Sequence, residues 1–202
     1  MEGLDFILSP QILFVFVFLL FIYYIPMFRS TFFLTSIFLI LNTNNTYSQP
    51  NILNSFKNII IHEIPKDLPI LEFKNKKGNR IIFNDFSSKL TLINFWATWC
   101  APCRKELPKL NNLTKQISKN QMRIVLVNIE NIKYGKIKNF FDEIKIKNLD
   151  SFFDINLKIT KELKLRGIPV TLIVDSYGKE KGRIIGDLDF TDSRFVNWIN
   201  AQ

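Results

Sequence analysis

Histidine and cysteine are scarce in this sequence. Among its 202 residues are one histidine, His62, and two cysteines, Cys100 and Cys103. A closed zinc site needs four ligands, commonly two Cys-x-x-Cys pairs or one such pair with two histidines, so this composition argues against structural zinc. Two cysteines also cannot form the disulfide framework that staples a small fold, and if they pair they pair with each other. His62 has no accompanying ligand motif, and we interpret it as a surface residue.

Charge is nearly absent from Gln11 to Leu41, where Arg29 is the only charged residue. We therefore predict that residues 1–48 form an apolar N-terminal membrane or signal region. If translation starts at Met27, Arg29 and the short apolar run after it have the layout of a secretory signal, with cleavage near Ser48. If the first methionine is the start, two apolar segments form a hairpin with Arg29 in the cytoplasm. An uncleaved single anchor is the third alternative.

Both of the first two arrangements place the rest of the chain on the far side of the membrane. Of the 27 Lys+Arg and 18 Asp+Glu in the chain, only Arg29, Glu2 and Asp5 precede residue 49, which leaves an excess of ten positive charges after it. This charge suits an anionic lipid surface or an acidic partner. The basic residues are scattered without an aromatic-interleaved cluster, so we predict no nucleic-acid binding and interpret most of them as a solvated surface.

The apolar pattern after residue 48 predicts one α/β domain. We assign residues 49–66 to a linker and 67–202 to the domain. A β-hairpin around Gly78 is predicted to open the domain. Short apolar runs without polar alternation are typical of strands buried on both faces, and stretches with a spacing of three to four predict the helices between them. The buried strands are predicted at 90–96, 123–129 and 170–175, giving a mixed sheet flanked by helices.

Both cysteines follow the first buried strand and enter a helix, where open α/β sheets place their chemistry. A sulfur at a helix N-terminus lies beside unpaired backbone amides, which lower the pKa of the Cys100 thiol and favour the thiolate. We predict that Cys100 is the nucleophile and that Cys103, one turn inside the helix, is the resolving thiol. Pro102 suits the first helical turn. Glu106, on the same helix face, is either the proton acceptor for Cys103 or a solvated carboxylate.

Two thiolates also bind Cu(I), so a Cu(I)-binding assembly chaperone that uses Cys100 and Cys103 is the alternative function. Such a protein would usually add a histidine from later in the domain, and none follows His62. A peroxide-consuming thiol enzyme does not need the two-residue spacing.

The stretch "FWATWCAPC" resembles the active site of the thioredoxin fold, and specifically of the TlpA/ResA-type thiol–disulfide oxidoreductases of bacteria. The resemblance covers about residues 67–200. Glu106 matches the acidic residue that these proteins carry just past the second cysteine, and "RGIPVTLIVDSYGK" matches their later proline loop. Asn94 departs from general thioredoxins, which have a buried aspartate there. The long segment 132–165 is similar to the central insert of this family.

The resemblance implies a redox-active Cys100–Cys103 disulfide, no cofactor and no metal. It implies a cis peptide bond before Pro169, and substrate binding by Trp99, Pro102, Ile168 and Pro169. The expected function is reduction of protein disulfides on the periplasmic side of the bacterial inner membrane, anchored there or free after signal cleavage. The implied partners are apocytochrome c or copper-site proteins of cytochrome oxidase assembly, with a membrane electron donor upstream.

Overall fold

A mixed β-sheet forms the centre of the described part of the chain, residues 52–202 of a computed structural model. The predicted signal or anchor region, 1–48, lies outside the described residues. Among residues 52–202, none of the helices has the length and apolar composition needed to cross a membrane. The strands are β1 (Ile59–Asp67), β2 (Glu72–Lys74), β3 (Arg80–Ile82), β4 (Leu90–Trp96), β5 (Met122–Asn128), β6 (Ser151–Asp154), β7 (Val170–Asp175) and β8 (Lys179–Ile185).

Four α-helices accompany these strands, as predicted for an α/β domain with a mixed sheet. They are α1 (Ala101–Gln116), α2 (Tyr134–Glu143), α3 (Lys158–Glu162) and α4 (Ser193–Asn200), and short 3₁₀ turns occupy Ile52–Ser55 and Ile155–Leu157. The strand order is β1-β8-β7-β4-β5-β6-β2-β3. β5 runs parallel to both β4 and β6, whereas β7 is antiparallel to β4.

β4 is buried along all seven residues, as its apolar sequence predicts. Because successive side chains of a strand point to opposite faces, β4 contributes to two separate apolar cores. Leu92 and Trp96 belong to the core that contains residues of α1, α2 and α4. Ile93 and Phe95 belong to the second core, on the face that α3 covers. The sheet is therefore a middle layer, and the end of β4 is held rigidly from both sides.

The predicted hairpin is present as β2 and β3, which pair antiparallel, and Gly78 between them has a left-handed φ of 82°. The predicted long insert between β5 and β7 contains α2, β6, the second 3₁₀ turn and α3. β6 pairs with β5 on one side and with β2 on the other. The insert thus joins the hairpin to the main sheet.

The segment predicted as a linker differs in the structure, because residues 59–67 form β1 and pair antiparallel with β8. The pairing has an irregularity between Ile61 and Lys66, and Pro65 within it has no amide to donate. Partly buried and exposed residues do not alternate regularly along this edge strand. Its sequence therefore lacks the alternating pattern that predicts a strand, and resembles a linker.

The prediction that His62 is a surface residue is wrong. Its side chain is only 8 % exposed, and Nε2 lies 2.8 Å from Oε1 of the buried Glu180. Arg183 also contacts this carboxylate, with Nε at 2.6 Å and Nη2 at 2.8 Å. Burial opposes ionisation, but Arg183 and His62 outweigh it and hold the pKa of Glu180 below its ordinary value. A buried carboxylate on β8 supplies the partner that places His62 inside.

We predict that Gly182→Ala destabilises the domain, because the added Cβ would overlap the Ile60 carbonyl oxygen and lie 2.9 Å from the Ile61 side chain. Since β1 and β8 would have to separate, the free energy of unfolding should fall by about 1–3 kcal/mol, measured by urea unfolding. Gly135→Ala is the matched control, as a Cβ there meets nothing within 4 Å. Equal stability of the two variants would contradict the close approach of β1 to β8.

Candidate active site

Cys100 and Cys103 lie where β4 ends and α1 begins. They form a disulfide with an S–S distance of 2.05 Å and a Cα–Cα distance of 5.3 Å. Cys100 is the N-cap of α1, and its sulfur accepts the backbone N–H of Cys103 at 3.3 Å. Pro102 occupies the first turn, where a missing amide leaves no hydrogen bond unmade. The local sequence therefore builds a helix start whose acceptor is a sulfur atom.

The two sulfurs have different surroundings. Cys100 is 4 % exposed and Cys103 is 0 % exposed. Trp99, just before the pair, is 68 % exposed, and Ala101 is exposed as well. A partner disulfide approaching from solvent would thus meet the Trp99 side of the pair, where Cys100 lies. When the disulfide is open, the amides at the start of α1 and the helix dipole favour the Cys100 thiolate.

The proline loop reaches the same end of the sheet. Because β7 is antiparallel to β4 and pairs Val170 with Phe95, β7 begins where β4 ends. The Ile168–Pro169 peptide bond is cis, the form implied by the resemblance, and the Pro169 carbonyl accepts the N–H of Gly186 at 2.9 Å. Ile168 is half-buried and packs against the apolar cluster that includes both cysteines. The candidate substrate-binding residues therefore lie on two chain segments that meet at the disulfide.

Glu106 is buried rather than solvated, with 1 % of its surface exposed. Asn94 of β4 donates from Nδ2 to Glu106 Oε1 at 2.8 Å and to Thr171 Oγ1 at 2.9 Å. These three residues join α1, β4 and β7 behind the cysteine pair. The departure at Asn94 thus has a structural role, since its amide donates to the carboxyl group that lies one helical turn past Cys103.

Burial raises the pKa of Glu106 to about 8 from an ordinary 4.5. Opposing influences are the Asn94 hydrogen bond and the nearby Leu188 backbone amide, while the charge of Asp187 adds to the rise. Glu106 Oε2 and Asn94 Oδ1 accept no hydrogen bond of normal geometry from the described residues. A carboxyl group with these surroundings is protonated at neutral pH and titrates just above it, as a proton-transfer group should.

Glu130 is a site residue that the sequence patterns did not identify. It accepts the backbone N–H of Thr98 at 2.5 Å and the Thr98 hydroxyl at 2.9 Å. Asn128 supports this carboxylate from the end of β5, with Nδ2 at 3.1 Å. Glu130 thereby holds the loop that leads into Cys100. Its signal in the sequence was its place just after a buried parallel strand, the edge at which such sheets position functional side chains.

Within residues 52–202, no group of three or more His, Cys, Asp or Glu side chains is arranged to hold a metal ion. The structure there adds no further ligand to the two sulfurs.

Comparison with known proteins gives consistent results. Residues 64–180 match the model of the AhpC/TSA family. Thiol-disulfide oxidoreductase ResA of Bacillus subtilis is 28% identical over 134 residues, which cover 66% of this chain and 73% of that protein.

Solved structures are similar as well. A putative thiol:disulfide interchange protein DsbE from Chlorobium tepidum superposes with a TM-score of 0.58 at 22% identity, covering 68% of this chain and 95% of that one. A secreted thiol-disulfide isomerase from Corynebacterium glutamicum gives a TM-score of 0.60 at 18% identity, covering 72% and 93%. At this identity the likeness establishes the fold, and it confirms the thioredoxin fold predicted above.

We expect the free energy of unfolding of the oxidised protein to decrease as the pH rises from about 4.5 to about 8, because the pKa of Glu106 is about 8 in the folded chain. Over this range the folded state holds a proton that the unfolded state has lost, so the stabilisation is complete below pH 4.5 and gone above pH 8. The contribution of Glu106 to this slope is at most about 1.4 kcal/mol per pH unit. Urea unfolding without reductant at several pH values measures it.

Glu106→Gln should lose this part of the slope. Glu162→Gln, at an exposed carboxylate in α3, is the matched control and should keep the wild-type slope. The same slope in Glu106→Gln as in wild type would show that the buried carboxyl group does not titrate in this range.

Proposed function

The chain belongs to the AhpC/TSA family, and from this membership together with its similarity to the ResA proteins we propose that it reduces protein disulfides outside the cytoplasm during cytochrome c or cytochrome oxidase copper-site assembly. The ResA relatives confirm the predicted resemblance to thiol–disulfide oxidoreductases, and the chain is an enzyme of that class. The observation that carries this function is the Cys100 sulfur at the start of α1 with Cys103 buried behind it. Such a pair exchanges disulfides with other proteins.

The reaction begins with the Cys100 thiolate, which attacks one sulfur of the partner disulfide and releases the other as a thiolate. Cys103 then loses its proton, attacks the Cys100 sulfur and expels the second partner sulfur. The partner gains two electrons and leaves as two thiolates, which take their protons from solvent, and the two enzyme cysteines form the disulfide seen in the structure. Cys103 has no access to solvent, so its proton needs an internal acceptor.

We assign proton transfer at Cys103 to Glu106. With a pKa of about 8 while the disulfide is closed, this carboxyl group holds a proton at neutral pH. It can give that proton to the Cys103 sulfur when a donor reduces the disulfide. The resulting carboxylate can take the proton back when Cys103 attacks the mixed disulfide, so the group alternates between acid and base.

The compartment and partners are inferred from the sequence and the resemblance. The apolar region 1–48 favours export or anchoring on the periplasmic side of the bacterial inner membrane, and the structurally similar isomerase of Corynebacterium glutamicum is a secreted enzyme. The TlpA/ResA resemblance favours apocytochrome c or copper-site proteins as substrates. Because an oxidising compartment does not re-reduce the pair, the function requires a membrane electron donor.

The Cu(I)-binding alternative is not favoured. The relatives reported above are named for thiol–disulfide chemistry, and the acid–base environment of Glu106 suits proton transfer, which a copper carrier does not require.

We predict that Cys103→Ser traps the physiological partner. Without the resolving thiol, the mixed disulfide at Cys100 is not released. The full chain, expressed in its native host, should form adducts on non-reducing gels that reductant removes, and mass spectrometry identifies them. The Cys100→Ser/Cys103→Ser variant is the control and should form none. If Cys103→Ser forms no more adducts than the double variant, the exchange mechanism is wrong.

We predict that Glu106→Gln slows disulfide exchange. A glutamine neither donates nor accepts the Cys103 proton, so the rate constant for oxidation by a disulfide substrate should fall by about tenfold or more near pH 7, and its pH dependence between pH 6 and 9 should flatten. Stopped-flow oxidation of the reduced protein, followed by tryptophan fluorescence, measures it. Glu162→Gln should behave as wild type. An unchanged pH profile in Glu106→Gln would remove the role assigned to Glu106.

A further inference from the structure

A second feature lies at the same edge of the sheet as the cysteines. β4, β5 and β6 are parallel, and Trp96 pairs with Asn128, which pairs with Phe153. All three strands therefore end at one level. Two strand spacings, about 10 Å, separate the end of β4 from the end of β6, where a cleft opens. Whatever occupies this cleft is close to the redox pair.

The cleft has a volume of about 570 Å³. Its walls are the β2–β3 turn, the loop from β5 to α2, and the end of β6 with the 3₁₀ turn that follows. Its lining is partly apolar, with half-buried Ile129, Ile132 and Leu157 among the residues. An apolar lining open to solvent suits a chain segment that carries some apolar side chains.

The carboxylates of the cleft are already engaged. Glu130 accepts hydrogen bonds from Thr98. Asp154 accepts the N–H groups of Ile159 and Thr160 at 3.0 and 2.8 Å, and the Thr160 hydroxyl at 2.6 Å. Each therefore serves the fold itself.

The lysines of the rim are in a different position. Lys74, Lys77 and Lys133 are exposed, and no salt bridge to any of them occurs within residues 52–202. By contrast, Lys76 pairs with Asp150 at 3.0 Å. Among the described residues that line the cleft, the three unpaired lysines outnumber the two carboxylates, Glu130 and Asp154, so the rim presents net positive charge. Such a rim attracts carboxylates and speeds their encounter.

The wall formed by the end of β6 and the 3₁₀ turn has an unusual backbone. Asn156 and Leu157 have consecutive left-handed φ angles of 55° and 58°. This conformation costs free energy for residues other than glycine, and strained backbone of this kind clusters at binding sites. This turn is separate in the sequence from both cysteines, so the redox pair does not account for its conformation.

We propose that this cleft docks an acidic segment, interspersed with apolar residues, of the protein whose disulfide reacts at Cys100. The identity of the partner as a disulfide substrate rests on the proposed function. The three lysines are exposed and come from two separate chain segments, the β2–β3 hairpin and the loop before α2, an arrangement that matches several carboxylates along a chain better than a single small anion. Glu130 connects the cleft wall to Thr98, so a segment held there places its neighbouring disulfide beside Cys100.

The test uses two synthetic peptides, each with one intramolecular disulfide. One has an Asp/Glu-rich flank with two leucines, and the other has Asn and Gln in place of the acids. The full chain, reduced and kept in non-ionic detergent, should reduce the acidic peptide with a kcat/KM about tenfold higher at low salt. This preference should shrink in 0.5 M salt, which screens exposed charges.

The variant Lys74→Gln/Lys77→Gln/Lys133→Gln should lose the preference, chiefly through KM. A charge-matched control is Lys66→Gln/Lys115→Gln/Lys119→Gln, which removes exposed lysines elsewhere. Lys115 is near the end of α1, about 20 Å along the helix from Cys100. The control should keep the preference, and both variants should reduce the uncharged 2-hydroxyethyl disulfide at the wild-type rate.

Two results overturn the docking site. They are an equal kcat/KM of the wild type for the two peptides, and an equal loss of preference in both triple variants, which would indicate a general charge effect. Failure of the proposed function looks different, because the reduced wild type would then reduce neither peptide nor 2-hydroxyethyl disulfide. Binding of a cysteine-free acidic peptide, measured by fluorescence anisotropy, would still report on the lysines in that case.

Discussion

The first amides of α1 have no partner within the helix, and in this chain a sulfur atom supplies one. The buried strand β4 delivers Cys100 to that position, and both of its faces are packed, so the sulfur cannot drift away from the helix axis. This one contact is the basis of our proposal that the first of the two sulfurs is the reactive one, since only the N-cap position meets the unpaired amides. Every step of the exchange reaction proceeds from it.

Behind the sulfur pair, the protein buries the Glu106 carboxyl group, which costs free energy because the group loses its contact with water. The Asn94 amide offers hydrogen bonds to Glu106 and Thr171 together, and so ties the helix to the two central strands. Because Glu106 Oε2 and Asn94 Oδ1 accept no hydrogen bond of normal geometry from residues 52–202, the network is most favourable when the carboxyl group is neutral. The interior thus stores a proton one turn from Cys103. In front of the pair, Glu130 accepts the backbone N–H of Thr98 and so holds the loop before Trp99.

Sequence reasoning located the redox pair because its signals were local: an apolar strand, a helix start and a two-residue spacing. It also placed Glu106 one turn beyond Cys103, but could not decide whether that side chain was buried. The hydrogen-bond partner of Glu106, Asn94, lies 12 residues earlier in the sequence, and Thr171, to which Asn94 also donates, lies 77 residues from Asn94. The same limit applies to His62, whose partner Glu180 is 118 residues distant. The sequence did not predict β1, because an edge strand is buried only in part. Its alternation of apolar and polar residues is also weak where its pairing with β8 is irregular.

The irregular pairing of β1 has a consequence for how other chains attach to this protein. A long, regular outer strand offers a row of amides and carbonyls to any extended chain, whereas Pro65 and the shift after Ile61 interrupt such a row on one side,. On the opposite side, β3 is three residues long. Neither border of the sheet is therefore a good template for adding a foreign strand. Disulfide exchange at Cys100 can therefore take place without a lasting intermolecular sheet at either border.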